Sequence, residues 1–270
     1  MGTENPEQAV LELLRPLLRD PVHAAVLTDI DGTLAPIAER PERAAVPDGT
    51  RAALAELSGS YGVVGCVSGR RAAEARDLVG IEGISYAGNH GLELLLPGDQ
   101  QPRLDASLDG RERAAAEFLA EIDGARIAET GLRAEDKGPI QALHWRGAED
   151  ERAAEGRARE IAAAAGKRGL EPRWGRKVLE LRPVGGGGKE AAIGALLADG
   201  DVTAAIYAGD DRTDLDAFRR LRELAEGGQL QLAVCLGVDS EEAPAELAEE
   251  ADALVAGPPG WLGVLRALAG

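Results

Sequence analysis

The hexapeptide Asp29-Ile30-Asp31-Gly32-Thr33-Leu34 is the segment from which the rest of the chain can be interpreted. It follows an apolar run over residues 22–28, which begins after Pro21 and is typical of a buried parallel strand. Asp29 and Asp31 are therefore expected at the carboxyl end of a strand, where open α/β sheets bind ligands. Uncompensated charge at a buried strand tip is costly. A hard cation together with a phosphate would account for both acids.

A calcium-binding loop is the alternative for an Asp-x-Asp-Gly turn. Such a loop requires further acids and a closing Glu at fixed spacing. Residues 34–37 read Leu-Ala-Pro-Ile and supply no acid, so the sequence favours the strand-tip interpretation.

The composition is that of a soluble globular protein. The chain has 270 residues, of which 44% are apolar, and its 30 basic and 47 acidic residues give a net charge of −17. Such a charge disfavours nucleic acid and anionic membranes as partners. The sequence has no apolar run long enough to span a membrane and no signal-peptide pattern. Cys66 and Cys235 lie in apolar runs, which is typical of buried free thiols. We therefore expect a cytoplasmic protein. A monomer is the expected oligomeric state, although no sequence pattern determines it.

Strand-like and helical segments alternate over most of the chain, which predicts an α/β fold with a mostly parallel, doubly wound, Rossmann-like sheet. Further strands are expected at 61–67, 84–88, 204–209 and 230–236, and helices at 49–57, 71–79, 190–197 and 214–226.

The alternation breaks between about residues 103 and 182, where the pattern becomes that of an α+β layer. We expect an inserted cap domain at 103–182 that packs over the ligand crevice, and a core formed by 1–102 and 183–270, with the glycines at 185–188 as a hinge. The cap segments are predicted as helices at 108–122 and 148–168 and strands at 125–133, 139–146, 170–174 and 177–181.

Polar residues recur behind the other predicted core strands. Ser68-Gly69-Arg70 would cradle phosphate oxygens, although a Ser-Gly pair is also an ordinary helix cap and turn. Lys189 follows the glycine run and begins a helix, which suits a phosphate or a carboxylate cluster, and Glu190 excludes a Walker loop. The segment 209–214 adds Asp210, Asp211 and Asp214. Acids at two strand tips indicate a magnesium site rather than solvated loop acids.

The predicted cap carries acids and bases around two of its strands. Its second strand is framed by Glu135, Lys137, His144 and Arg146, and its last strand is bracketed by Lys177 and Glu180. Mixed charges suit a hydroxyl-rich ligand, and a solvated sheet face is the alternative. Simple strand alternation would put Lys177 and Glu180 on opposite faces.

Together these segments resemble the trehalose-6-phosphate phosphatases of the haloacid-dehalogenase-like superfamily. The similarity runs in family order over about residues 22–260. Leu215 departs from the acid that the family usually has there, and the basic cap motif reads Gly175-Arg176-Lys177. The matching segments are 29–37, 68–70, 89–91, 135–137, 142–146, 175–183, 188–190 and 209–214.

The resemblance implies a Mg²⁺-dependent hydrolysis of trehalose 6-phosphate through an aspartyl-phosphate on Asp29, with Asp31 as the proton carrier. It implies that Asp29, Asp210 and the backbone carbonyl of Asp31 hold the metal, with support from Asp211 and Asp214. The catalytic set would be Asp29, Asp31 and Lys189; the phosphate set Thr33, Ser68, Gly69 and Lys189; and the sugar set Arg70, His90, Glu135, Lys137, Arg146, Lys177 and Glu180, with Arg70 and His90 between core and cap.

Two rivals remain open on the sequence. One is a phosphatase on the same core for glucosyl- or mannosyl-phosphoglycerate or sucrose phosphate. The other is a non-catalytic sugar-phosphate-binding regulator, which the loss of Asp29 or Asp31 would indicate; both acids are present.

Overall fold

The structure is a computed structural model that describes residues 6–38, 43–122, 124–175, 177–185, 187–198, 201–240 and 243–270. Two compact units divide the chain: Met1–Arg103 together with Gly187–Gly270 form unit 1, and Leu104–Gly186 form unit 2. Across the described ranges, no helix is both long and apolar enough to cross a membrane.

The main sheet has the strand order β12-β11-β10-β1-β2-β3-β4-β5. Neighbours from β12 to β3 are parallel, and β4 runs antiparallel to β3. The strands are β1 Ala24–Asp29, β2 Val63–Val67, β3 Ser85–Gly88, β4 Glu93–Leu95, β5 Arg103–Leu104, β10 Ala204–Gly209, β11 Leu232–Asp239 and β12 Ala253–Ala256. The predicted parallel α/β class is confirmed.

Helices cover both faces of this sheet, which explains why its strands are apolar runs rather than alternating ones. Along β1, Ala24 and Val26 pack on one face and Ala25 and Leu27 on the other. The helices of unit 1 are α1 Pro6–Arg19, α2 Asp48–Ser58, α3 Ala72–Val79, α7 Lys189–Leu196, α8 Asp214–Glu226, α9 Ala245–Glu250 and α10 Gly257–Ala269.

The strand predicted at 22–28 begins only at Ala24, because Pro21–His23 forms a 3₁₀ turn. Proline has no backbone N–H to give to a sheet and fits the start of a helical turn. The shift matters little for the site, since Asp29 is still the last residue of β1.

Unit 2 contains an antiparallel sheet with the order β6-β7-β9-β8. Its apolar core includes Leu143, Leu179 and Leu181 from the sheet and Ile161 from a helix. The elements are α4 Ala114–Ala120, α5 Gly124–Glu129, β6 Arg133–Lys137, β7 Ile140–His144, α6 Glu151–Lys167, β8 Leu170–Gly175 and β9 Val178–Pro183.

Two predictions for unit 2 were wrong in detail. The segment 125–133 is not a strand: α5 occupies Gly124–Glu129 and Gly131 turns the chain at φ +77° before β6. Its Ala and Glu residues are strong helix formers, and Ile127 is buried in the core. The helix predicted over 108–122 is shortened to α4, because Asp109 and Gly110 both adopt positive φ.

Candidate active site

The polar residues predicted at the strand tips of unit 1 meet at one edge of the sheet. Strands β10 and β2 are the two parallel neighbours of β1. Asp29 ends β1, Asp210 follows β10, and Ser68 follows β2. Their carboxyl ends coincide, so residues far apart in sequence become neighbours.

Gly32 allows Asp210 to approach the first turn closely. Its φ is +93°, and a Cβ atom there would lie 2.1 Å from Asp210 Oδ2. Thr33 Oγ1 donates a hydrogen bond to Asp210 Oδ1 at 3.0 Å. The turn after β1 therefore both admits and orients the carboxylate of Asp210.

Lys189 provides the cation at the centre of this cluster. It is the first residue of α7 and only 3% exposed. Its Nζ lies 2.8 Å from Asp29 Oδ1 and 2.5 Å from Asp214 Oδ1. Lysine is almost never buried without such partners. Lys189 therefore fixes Asp29 in the orientation seen here.

Asp214 is fully buried and holds Lys189 in place. Its Oδ1 accepts hydrogen bonds from Lys189 and Tyr207, and its Oδ2 accepts from the backbone N–H groups of Asp210 and Asp211. Gly209 makes room for it, since a Cβ there would lie 2.1 Å from Asp214 Cγ. Asp214 therefore lies directly beside Lys189, and its supporting role for the metal stays a prediction.

The cluster has more carboxylates than cations, and the pKa values reflect this. Burial raises the pKa of Asp29 well above its usual value, although Lys189 opposes the shift. Burial and the nearby Asp214 raise the pKa of Asp210 to about 7. Burial would also raise the pKa of Asp211, but Lys189 and the hydrogen bonds from Thr213 outweigh it and lower the value to about 2.

A divalent cation would relieve this excess of buried negative charge. Among the described residues, single carboxylate oxygens of Asp29, Asp210 and Asp214 lie within 4.8 Å of one another. The oxygens of Asp214 already accept four hydrogen bonds. Asp29 and Asp210 are therefore the better ligands, and hard oxygen donors of this kind suit magnesium, calcium or manganese.

Asp31 lies outside this carboxylate group and is paired with Arg70. Arg70 Nε donates to Asp31 Oδ2 at 2.8 Å and Nη2 donates to Oδ1 at 2.7 Å. This two-point contact fixes the direction of the carboxylate. Arg70 is a predicted sugar ligand, and in this structure its Nε and Nη2 atoms bind the carboxylate of Asp31.

The loops that carry Ser68, Gly69 and His90 are tied to the glycine run before α7. The backbone N–H of His90 donates to the carbonyl of Ser68 at 3.0 Å, and that of Gly188 donates to the carbonyl of His90 at 2.5 Å. A Cβ on Gly69 would lie 2.7 Å from His90 Nε2, so the imidazole packs against this glycine. The backbone thereby brings together Ser68, Gly69, His90 and Lys189.

Thr33 lies at the site, and its two hydrogen-bond donors, the hydroxyl and the backbone N–H, both have partners. Its hydroxyl donates to Asp210, and its backbone N–H donates to the carbonyl of Ile30 at 3.3 Å. Its predicted phosphate contact stays a prediction.

In unit 2, charged side chains share the sheet face opposite the apolar core. The cross-strand pairs Glu135↔Ala142 and Ala142↔Glu180 put both acids on that face, with Ala142 between them. Lys137 Nζ lies 3.1 Å from Glu180 Oε1, and His144 Nε2 lies 2.6 Å from Glu135 Oε2. The His144 contact lowers the pKa of Glu135. Three of the five predicted cap residues are therefore neighbours.

Lys177 and Arg146 are placed apart from the Glu180 group. Lys177 lies in the turn between β8 and β9 at φ +61°, and its Nζ is 2.6 Å from Glu151 Oε2. With Trp145 and Trp174 it lines an open groove of about 510 Å³. Arg146 follows β7 and is exposed.

Sequence reasoning missed three residues of these clusters. Tyr207 lies inside an apolar strand and looks like ordinary core, but its OH lies 2.5 Å from Asp214 Oδ1. Arg182 contacts Glu180, two positions before it on the same strand. His144 was placed beside the second predicted cap strand but left out of the predicted sugar set. Strand alternation could have indicated Arg182, whereas nothing in the pattern indicated Tyr207.

Comparison with known proteins identifies the family of this chain. Residues 27–250 match the family model described as trehalose-phosphatase. The chain belongs to the trehalose-phosphatase family. Its fold is that of the haloacid-dehalogenase superfamily, as the sequence motifs predicted.

Individual relatives agree. A trehalose-phosphate phosphatase of Mycobacterium marinum is 37% identical over 203 residues, which cover 72% of this chain and 50% of that protein. An uncharacterized glycosyl hydrolase of Mycobacterium tuberculosis is 37% identical over 213 residues, which cover 73% of this chain and 15% of that protein. The trehalose-6-phosphate phosphatase C-terminal domain of C. albicans superposes with a TM-score of 0.76 at 21% identity, covering 96% and 97% of the two chains. The chain thus spans half or less of the length of the two mycobacterial proteins.

Proposed function

We propose that this chain is a magnesium-dependent phosphatase that hydrolyses trehalose 6-phosphate to trehalose and phosphate. The observation that carries the proposal is the buried contact of Lys189 Nζ with Asp29 Oδ1, beside Asp210. It presents one oriented carboxylate, with a cation on one oxygen, at the edge of the sheet where ligands bind. Family membership supports the phosphatase reaction.

Asp29 is the proposed nucleophile. One of its carboxylate oxygens attacks phosphorus, the bond from phosphorus to the sugar oxygen breaks, and an aspartyl-phosphate forms. Water then attacks the phosphorus of this intermediate, which releases phosphate and restores the carboxylate. Lys189 and Ser68 are proposed to hold the non-transferring oxygens, with the backbone at Gly69. Thr33 is proposed to join them by releasing or sharing one of its present hydrogen bonds.

Asp31 is the proposed proton carrier. It gives a proton to the departing sugar oxygen and takes one from the hydrolytic water. Arg70 donates to both oxygens of Asp31, a contact that fixes the direction of the carboxylate. We propose that Arg70 orients Asp31 for this proton transfer. On this account Arg70 acts on the chemistry through Asp31 as well as on the sugar.

Asp29, Asp210 and the backbone carbonyl of Asp31 are the proposed ligands of Mg²⁺. When bound, the ion neutralises phosphoryl charge and orients the transferred group. Asp211 and Asp214 are proposed to support the site through Lys189 and the loop after β10.

Recognition of the sugar is proposed to rest on unit 2, acting as the cap. Glu135, Lys137 and Glu180 form one charged group, and Arg146 and Lys177 are proposed as further contacts that their present partners would have to release or share. His90 is proposed to contribute from unit 1. The monomeric state and a cytoplasmic location are also proposed; sedimentation and fractionation test them.

The test is phosphate release by the full chain with Mg²⁺, comparing trehalose 6-phosphate, glucose 6-phosphate, sucrose 6-phosphate and glucosylglycerate phosphate. We expect kcat/KM to be highest for trehalose 6-phosphate. Equal values for all four would remove the sugar assignment and leave a general phosphatase. The absence of phosphate release from every ester would favour the non-catalytic rival.

A further inference from the structure

Glu180 and Arg182 lie two positions apart on β9 and therefore project from the same face of the sheet. The intervening Leu181, like Leu179, packs in the apolar core on the opposite face. The position of Arg182 beside Glu180 is thus fixed by the strand and by the leucines that anchor it. It does not depend on a mobile loop.

Two cations hold Glu180 at different oxygens. Lys137 Nζ lies 3.1 Å from Oε1, whereas Arg182 donates to Oε2 from both Nε, at 3.2 Å, and Nη2. All three side chains are mostly buried, with exposures of 15% for Lys137, 11% for Glu180 and 13% for Arg182. The carboxylate therefore has a defined direction as well as a defined charge.

Folding alone does not account for such a group. Taking charges out of water costs free energy that their attraction often only offsets, and apolar replacements of similar volume are frequently as stable. What the arrangement does provide is preorganisation. A carboxylate already held in one rotamer loses less conformational entropy when it binds a hydroxyl group.

We propose that Arg182 is a positioning residue for substrate recognition, which holds Glu180 Oε2 so that the carboxylate is oriented toward the sugar hydroxyls. The inference rests on the proposed function, because it assumes that Glu180 binds the sugar. Arg182 acts through Glu180 and has no part in phosphoryl transfer. Removing it should weaken binding of a sugar phosphate and leave the chemistry of a sugar-free ester unchanged.

An arginine suits this position better than a lysine. Two of its N–H groups converge on one oxygen from a planar, rigid group, which fixes the carboxylate plane. A lysine would keep the charge and supply a single mobile contact. Arg182→Lys should therefore have an intermediate effect.

The chain offers a matched control on the same sheet face. Arg173 lies directly across from Glu180 in the β8–β9 register, but it pairs with Glu171, at 2.6 Å, and is 61% exposed. Arg173→Met and Arg182→Met change the net charge equally. Only the second removes a donor from Glu180.

The experiment measures kcat and KM for trehalose 6-phosphate and for p-nitrophenyl phosphate, which has no sugar, in the wild type and in these variants. Arg182→Met should raise KM for trehalose 6-phosphate about tenfold or more, the scale found when a partner that orients a metal ligand is lost. Its kcat, and both constants for p-nitrophenyl phosphate, should stay near the wild-type values, as should all constants of Arg173→Met. Arg182→Lys, which keeps the charge in the sheet, provides the same test if Arg182→Met does not fold.

A double-mutant cycle isolates the mechanism. If Arg182 acts through Glu180, then Glu180→Gln combined with Arg182→Met should bind trehalose 6-phosphate no more weakly than Glu180→Gln alone. Additive losses, or a KM for trehalose 6-phosphate that Arg182→Met leaves unchanged, would overturn the inference while the wild-type activity stands. A wild type that does not prefer trehalose 6-phosphate over p-nitrophenyl phosphate would overturn the proposed function and the inference together.

Discussion

The acid cluster of unit 1 and the charged sheet face of unit 2 differ in their balance of acidic and basic side chains. In unit 1, the ammonium group of Lys189 contacts the buried acids Asp29 and Asp214, and the carboxylate of Asp210 lies in the same buried group. In unit 2, Glu180 contacts two cations and Glu135 contacts His144. The first cluster has an excess of negative charge, whereas the acids of the second have basic partners among their neighbours.

The pKa values follow the same division. Burial raises the pKa of Asp29 and Asp210, whereas a hydrogen bond from His144 lowers that of Glu135. A cluster that needs a cation to offset its charge suits metal-assisted chemistry, and a neutralised, preorganised one suits recognition of a neutral sugar. We therefore expect changes in unit 1 to affect all phosphate esters and changes in unit 2 to affect only those that carry the sugar.

The largest expected effect comes from Asp29→Asn. The change keeps the shape but removes the nucleophile, so turnover should fall by about three orders of magnitude or more for trehalose 6-phosphate and p-nitrophenyl phosphate alike. Asp216→Asn is the control, since Asp216 pairs with Arg219 on the surface of α8. Phosphate release measures both. Retention of more than about a tenth of the wild-type rate by Asp29→Asn would contradict a covalent mechanism.

Lys189→Met should be next, because it leaves Asp29 and Asp214 buried beside each other without their cation. Breaking a buried ion pair in this way costs about 3–5 kcal/mol of the free energy of unfolding. Urea denaturation without metal measures the loss, and Lys167→Met, at an exposed position of α6, is the control. Equal stability of the two variants would mean that the carboxylates of the cluster do not depend on Lys189.

Metal binding should depend on pH through Asp210. Its pKa of about 7 means that the metal-free protein carries a proton there below neutral pH, and the proton must leave when a cation binds. The apparent affinity for Mg²⁺ should therefore fall as the pH decreases from 8 to 6. Calorimetry in two buffers of different ionisation enthalpy measures the released protons. Asp210→Asn should abolish the dependence together with most of the binding.

The same pKa predicts the stability of the metal-free protein. Because the folded state holds the Asp210 proton more tightly than the unfolded chain, this group contributes stability that is fully present below the ordinary pKa near 3.8 and is lost as the pH rises through about 7. Metal-free unfolding curves at several pH values check the sign. A contribution from Asp210 that grows between pH 5 and 8, judged against Asp210→Asn, would contradict it.

The smallest effect is expected for Lys177→Ala. Lys177 contacts Glu151 and lies apart from the Glu180 group, so its loss should raise KM for trehalose 6-phosphate only a few-fold, less than Glu180→Gln does. Glu151→Gln removes the same ion pair but keeps Lys177, so its KM measures the contribution of the ion pair alone. If Lys177→Ala weakened every phosphate ester equally, its role in sugar recognition would be withdrawn.

The two regions also differ in how far the sequence predicted them. Asp29 ends a strand, Ser68 and Asp210 follow strands, and Lys189 begins a helix. The carboxyl ends of parallel strands necessarily meet at one edge. Their grouping could be predicted because it depends on element order alone. Tyr207 could not, since the direction of one phenol in an apolar strand depends on packing.

The grouping of residues on the sheet face of unit 2 could not be predicted in the same way, because it depends on a strand register that the sequence pattern does not indicate. The segment 125–133 was predicted as a strand but contains α5, so the partner of β7 had to be found at Arg133–Lys137. Only the observed register aligns Glu135, Ala142 and Glu180 in one row. Alternation predicted that Lys177 and Glu180 lie on opposite faces, but Lys177 precedes β9 in a turn at φ +61°, where alternation does not apply, and its side chain contacts Glu151.

The division between chemistry in unit 1 and sugar recognition in unit 2 is tested most directly by Glu180→Gln. The measurement is the ratio of kcat/KM for trehalose 6-phosphate to kcat/KM for p-nitrophenyl phosphate, in the variant and the wild type. We predict that the ratio falls about tenfold or more while the value for p-nitrophenyl phosphate stays constant. An unchanged ratio, whether both values fall together or neither falls, would contradict the division.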